Sequence, residues 1–291
     1  MTGDCHVRFG ERLAGKFRWP THLDLSIHWA DLAREGDEQV AWDKSIQSRQ
    51  QRKKFRKRQE VLLGQWSEDF VDRLNQRLAD YSIEGLFAEL DPDSNGEKVD
   101  VHFPRVTSGI NDYQLDHVLL EFGGRNRGKP TVQHSIGCYI ADVSEFGELI
   151  CPRATVQAFD PAYILWEKLT ALHQFSTMTR EPVAYRLARH WYDVDCLLRH
   201  AIVDPLSSLE AMADVIEMKK QRWSEVGVDY ESVLRGDIRL VPDAERLTSI
   251  TKDHQAAVKG GMFYSPPDKF DVIIDRILVA QEQINQSLAA K

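Results

Sequence analysis

Residues 22–28 read His22-Leu23-Asp24-Leu25-Ser26-Ile27-His28, with polar and apolar side chains in strict alternation. Period two marks a β-strand with one buried face, because successive side chains project to opposite sides. His22 and Asp24 then share the polar face. A second stretch, residues 116–122 (DHVLLEF), is strongly apolar until Glu121 interrupts it. Gly123 and Gly124 follow and allow close backbone approach, and Arg125 offers a planar donor fork suited to phosphate. Magnesium-type cations want oxygen ligands, and carboxylates gathered from neighbouring strands are the usual seat of in-line phosphoryl or nucleotidyl transfer. His22, Asp24 and Glu121 are therefore candidate metal ligands. The structural alternative is a solvated strand edge at Asp24 and a strand end at Glu121 paired with Arg125.

Working outward, residues 44–81 are long and highly charged, with Val61, Leu62, Trp66, Phe70, Leu74 and Leu78 at helical spacing. Short strands are expected at 83–90 and 98–103, and another at 137–143. Between the first two, DPDSNGEKVDVH places Asp91, Asp93, Asn95 and Gly96 at calcium-loop positions. Its twelfth position, which a bidentate acid must fill, is His102, so the segment reads as a polar turn. After residue 155 the periodicity turns helical, at 161–175, 185–200, 205–222, 244–259 and 267–288. The expectation is an α+β chain: a mixed sheet with helices over 1–155, then an all-α helical bundle over 156–291.

Composition narrows the function classes. A length of 291 residues suggests about two domains. The formal net charge is −8, and the run RQQRKKFRKR at 49–58 holds seven basic residues and no acid, leaving −15 on the rest. That balance excludes a protein that coats nucleic acid over its whole surface. The basic run is either a solvated face or a contact for an RNA acceptor or a triphosphate; a DNA-binding regulator built on it lacks a recognition-helix pattern. No stretch approaches the roughly 20 apolar residues of a membrane span. The N-terminus lacks a signal peptide's apolar segment, and four scattered cysteines suggest free thiols. A cytoplasmic protein is expected.

Two helical motifs complete the candidates. WEKLTALH sets Lys168 beside Leu165, Leu169 and Leu172, where a lysine either snorkels to solvent or serves a site. In RHWYDVD, Arg189 and Asp193 stand at i and i+4, compatible with an intrahelical ion pair or a functional role.

Taken together, FRWPTHLDLSI, HVLLEFGGRN, WEKLTALH, LARHWYDVDCLL and RGDIRLVP resemble the AbiEii/AbiGii toxin family of nucleotidyltransferases, in order and spacing over nearly the whole chain. The resemblance implies a minimal nucleotidyltransferase fold followed by a helical domain. It implies transfer of a nucleotide from a nucleoside triphosphate to a hydroxyl, with Mg²⁺ or Mn²⁺. In similar proteins the acceptor is RNA, commonly tRNA, and an antitoxin is the partner. Asp24 corresponds to the second acid of the family's DxD motif and Glu121 falls in its neighbouring strand motif. Lys168 matches the lysine that neutralises nucleotide phosphates, and Asp193 the acid that orients Lys168 or the acceptor. Gly3, Arg125 and Arg189 are the accompanying phosphate-binding candidates. Two departures stand out. His22 replaces the first acid, and imidazole prefers softer metals than magnesium. The stretch Thr2-Gly3-Asp4-Cys5-His6 retains one glycine of a phosphate-cradling GGTSL-like loop, so the chain is expected to be shortened at its start. An impaired member that binds nucleotide, RNA or antitoxin without transfer is the alternative expectation.

Overall fold

The computed structural model describes residues 5–8, 22–27, 32, 48–104, 117–123, 131–137, 153–182, 186–199, 203–222, 225–263 and 267–290. The chain divides into two compact units, with the main boundary between Phe159 and Asp160. The first unit holds a sheet of seven strands among the described residues. They are β1 (Cys5–Arg8), β2 (His22–Ile27), β3 (Phe87–Leu90), β4 (Lys98–His102), β5 (Val118–Gly123), β6 (Thr131–Gly137) and β7 (Arg153–Phe159). Their order is β3-β4-β5-β2-β1-β7-β6. The sheet is mixed: β2 pairs parallel with β5 and β1 parallel with β7, while the remaining neighbours are antiparallel.

One long helix, α1 (Arg49–Ala79), lies against one face of this sheet. Its apolar stripe of Leu62, Leu63, Trp66, Phe70 and Leu74 packs on Leu23, Leu25, Ile27, Val99, Leu120 and Phe122. Trp66 stacks on Phe70 at 5.1 Å between ring centroids, and both meet Phe122 edge-on at 5.0 and 5.1 Å. Val61, expected in the stripe, is half exposed and Leu63 fills the core position instead. The helix phase is set by Trp66 and Phe70, whose large rings dominate the buried area.

The turn between β3 and β4 docks directly on α1. Asp91 accepts the N–H of Asp93 at 2.9 Å, and Asn95 and Gly96 take positive φ values of 52° and 84°. Ser67 donates its hydroxyl to the Gly96 carbonyl at 2.6 Å. At the outer edge of the sheet, Asn75 reaches from α1 to Ala88: its amide donates to the carbonyl at 2.8 Å and its oxygen accepts the N–H at 2.7 Å.

Strand positions differ from expectation at residues 83–86 and in β1, β6 and β7, and β1 begins inside the stretch read as a remnant of a phosphate-cradling loop. Residues 83–86 form a turn before β3, because Ser82 and Gly85 both adopt positive φ. Strands β6 and β7 were not anticipated: TVQHSIG is largely exposed, and in RATVQAF only Ala158 and Phe159 are buried, so neither shows a clean alternation. The strand expected at 137–143 lies outside the described residues apart from Gly137.

The second unit contains only helices among its described residues: α2 (Pro161–Thr177), α3 (Arg189–Arg199), α4 (Leu209–Arg222), α5 (Glu231–Leu234), α6 (Ala244–Lys259) and α7 (Phe270–Ala289), with a 3-10 turn at Pro205–Ser207. Helix α2 starts at an Asp160 cap, which accepts the Ala162 N–H at 2.8 Å, with Pro161 in the first turn. Tyr163, Leu165, Trp166, Leu169 and Leu172 of α2 are fully buried. The Trp191 indole N–H donates to the Leu240 carbonyl at 2.9 Å. Asp253 of α6 accepts the N–H groups of Arg186 and Ala188, both at 2.8 Å, just before α3. Arg276 of α7 grips buried Asp195 of α3 through two bonds of 2.6 and 2.8 Å.

Two buried imidazoles tie this unit to pH. His173 accepts the Arg239 N–H on Nδ1 at 3.0 Å, which leaves Nε2 to donate to the Asp229 carbonyl at 3.2 Å. That tautomer is neutral, and burial lowers the His173 pKa below its ordinary 6.5. Burial likewise lowers His254, whose Nε2 lies 3.3 Å from the Asp268 carbonyl. Below about pH 6.5 the unfolded chain takes up protons that these folded sites refuse, so stability falls as pH falls and is complete above that value. Thermal denaturation at pH 7.5 and 5.5 is expected to give the lower midpoint at 5.5. Equal midpoints would sink this assignment.

Candidate active site

The face of the sheet turned away from α1 is polar, and the alternation of three strands makes it so. On β2, Leu23, Leu25 and Ile27 enter the core, which leaves Asp24 and Ser26 on the other side. On β5, Leu120 and Phe122 enter the core and Glu121 faces away; on β4, Val99 and Val101 do so and Lys98, Asp100 and His102 face away. Asp24 and Glu121 are Cα partners in the parallel register of β2 and β5. Asp24 is exposed and Glu121 half-buried.

Directly paired residues on neighbouring strands have Cβ atoms about 5 Å apart. Two carboxylates at that spacing repel each other unless a cation lies between or beside them. Magnesium is commonly held by one or two carboxylates, with waters and substrate phosphates completing its shell. The chemistry of the donor pair therefore fits a hard divalent cation. Among the described residues, no group of three His, Cys, Asp or Glu side chains is arranged to hold a metal. His22 sits two residues before Asp24 on β2, opposite Leu119; its side chain, like Gly3 and Arg125, lies outside the described residues.

The polar face continues to either side of this pair. Lys98 is the β4 partner of Glu121, and Arg8 the β1 partner of Asp24, so four charged positions occupy one transverse row. Lys98 forms no ion pair among the described residues. Further along β4, His117 pairs with Asp100 at 3.1 Å and His102 with Glu89 at 3.0 Å, and His102 stacks on Phe87 at 4.7 Å. Sequence reasoning weighed Lys98 and His102 only as positions of a calcium-type loop and passed over Asp100. The signal was present in the alternation of KVDVH at 98–102, whose polar members all fall on one side.

In the second unit, Lys168 of α2 and Asp193 of α3 meet at 2.5 Å. Their side chains are 20% and 9% exposed. The structure brings these two candidates together across 25 residues of sequence. The i,i+4 pair of Arg189 and Asp193 does not form; Asp193 turns into the interface with α2, while Arg189 sits half-buried at the start of α3. Burial raises both the neighbouring Tyr192 hydroxyl and the Cys196 thiol above their ordinary values.

Lys168→Met strands the Asp193 carboxylate in its buried position. Breaking a buried pair from one side costs about 3–5 kcal/mol; the part-exposed ammonium reduces this to about 2 kcal/mol. A double-mutant cycle with Asp193→Asn, read by urea denaturation, is expected to show coupling of about 1 kcal/mol or more. Additive losses would mean that the two groups do not interact.

Comparison with protein families gives one finding: the family described as "Nucleotidyl transferase AbiEii toxin, Type IV TA system" matches residues 18–276. No curated protein and no solved structure matches the chain.

Proposed function

The chain belongs to the AbiEii nucleotidyl transferase toxin family of type IV toxin–antitoxin systems, and on that premise we propose that it transfers a nucleotide from a nucleoside triphosphate to an RNA acceptor, tRNA being the first candidate. The observation that carries this reading is the pairing of Asp24 with Glu121 on adjacent parallel strands of a polar sheet face. In the reaction an acceptor hydroxyl attacks the α-phosphate. A new P–O bond forms to the acceptor, the bond to the β-phosphate breaks, and pyrophosphate leaves.

Asp24 and Glu121 would hold a magnesium or manganese ion. The chemistry such an ion supplies when bound is neutralisation of charge on the triphosphate and on the departing pyrophosphate. Lys168 offers its ammonium to nucleotide phosphates, and Asp193 fixes where that ammonium points. Phosphate-binding roles for Gly3, Arg125 and Arg189 rest on the family resemblance. We read the first unit as the nucleotidyltransferase-like domain, ending with β7, and the second as a helical bundle. A cognate antitoxin is the expected protein partner. Among the described residues no helix is long and apolar enough to cross a membrane.

A second reading, binding without transfer, is favoured by His22 in the place of the first acid. Incubating the protein with total tRNA, Mg²⁺ or Mn²⁺, and each α-labelled triphosphate separates the two. Label transferred to RNA supports the enzyme. Nucleotide bound with no transfer under any combination supports the second reading.

A further inference from the structure

The first ten residues of α1, Arg49 to Arg58, carry seven of the chain's basic side chains and no acid. Helices favour acids in the first turn, where the backbone dipole is positive, yet α1 has none there. The helix start relies on a capping box, in which Ser48 and Gln51 exchange bonds of 3.1 Å. Arg49, Lys53 and Lys57 follow at i, i+4 and i+8, a row of like charges that opposes helix formation. Phe55 and Gln59 turn inward and are buried, while Lys53, Lys54 and Lys57 are exposed. Among the described residues none of Lys53, Lys54, Arg56 and Lys57 forms an ion pair.

A merely solvated helix face mixes charge signs and gains from oppositely charged neighbours one turn apart. The run holds no acid, and the one acid a turn away, Glu60, forms no ion pair with Arg56 or Lys57 among the described residues, although the rest of the chain carries a formal −15. Such a segregated field attracts a polyanion to one place and repels it elsewhere. Anionic membranes are the weaker fit, because surface-bound helices insert apolar side chains and the one apolar residue of the run, Phe55, is buried in the protein. Three exposed lysines spread over more than one turn also exceed what a single phosphate can engage.

We propose that this basic face of α1, carried by Lys53, Lys54 and Lys57, docks the phosphodiester backbone of an RNA strand. The identity of that strand as the acceptor rests on the function proposed above; the surface itself stands on charge and exposure. Backbone contacts of this kind position a strand without reading its sequence.

The test uses the full chain and a triple variant, K53Q/K54Q/K57Q, with a fluorescein-labelled RNA stem-loop. Anisotropy titrations run from 50 to 300 mM KCl, roughly the range in which salt competes with phosphate contacts, without nucleotide or divalent metal. Each lost contact lowers the slope of log affinity against log salt by about 0.7–0.9, so a drop of about 2 is expected. Affinity at low salt falls at least about 10-fold, and K53R/K54R/K57R retains the original slope. An unchanged slope in the Gln variant, with its thermal midpoint also unchanged, overturns the proposal. So does a variant that keeps RNA affinity but loses binding to phosphatidylserine vesicles. Because no nucleotide is present, failure of the transfer chemistry leaves this readout untouched. Transfer by a Gln variant with unaltered RNA affinity would instead leave the enzyme standing and remove the surface.

Discussion

Asp24→Asn is expected to lower nucleotide transfer by about 10²–10³-fold, the usual effect of removing one group aimed at transition-state charge, while the protein stays folded. The substitution keeps shape and removes charge. Asp24 is exposed on its strand, so no core packing is lost. What disappears is half of a carboxylate pair set in register by the β2–β5 ladder. Like charges placed directly opposite on neighbouring strands destabilise a sheet by a fraction of a kcal/mol, roughly 0.2–1. The Asn variant is therefore expected to keep a cooperative thermal transition, and loss of activity in a folded protein is the mark of a functional acid. Glu121→Gln should behave alike. Label transfer to RNA and a thermal melt on the same preparations decide the matter: full activity in the Asp24 variant would remove Asp24 from the site.

The second large effect concerns the fold around that pair. Gly96→Ala is expected to cost about 3–5 kcal/mol, combining backbone strain with overpacking. Gly96 adopts φ +84°, and a Cβ there would lie 2.5 Å from the Gly64 Cα and 3.0 Å from the Gly64 nitrogen. Both are backbone atoms in the middle of α1 and cannot yield as a flexible side chain would. The reciprocal substitution is the control. A Cβ on Gly64 meets the Asn95 carbonyl at 3.6 Å, an ordinary contact, so Gly64→Ala should be neutral or gain from helix propensity. Urea denaturation of the two variants should differ sharply, and equal midpoints would contradict the tight docking. Glu97, the next residue, accepts the Phe122 N–H at 2.6 Å. The turn thus clamps β4 beside β5, one residue from Glu121, and activity should fall along with stability.

How much of this was legible in the sequence varies with the physics of each element. Strand β2 announced itself because its burial alternates cleanly, and Glu121 stood out as an acid in an apolar run. Their pairing did not, since register between strands 22–27 and 118–123 is a tertiary fact that local pattern does not encode. Lys168 and Asp193 were each visible as candidates. Spacing alone left Asp193 open between an ion pair with Arg189 and a functional role. The family resemblance set it to orient Lys168 or the acceptor, and packing of α3 on α2 joins it to Lys168. Strands β6 and β7 escaped because their side chains are mostly exposed, so hydrophobic period, the primary signal, was missing. The phase of α1 was off by one position at Val61 for the opposite reason: an excess of apolar residues left two stripes possible, and the aromatic rings chose between them.

The clasp of Asn75 on Ala88 has a consequence for how the protein behaves in a crowded cell. An end strand presents hydrogen-bonding groups that any passing extended chain can use, and growth of a sheet across molecules begins there. In β3 the outward N–H and C=O of Ala88 are already taken by one side-chain amide. A newcomer must first evict that amide, and the strand, four residues long, offers little else to grip. The sheet is capped at this end against polymerising with its own copies, a form of solubility control written into a single asparagine.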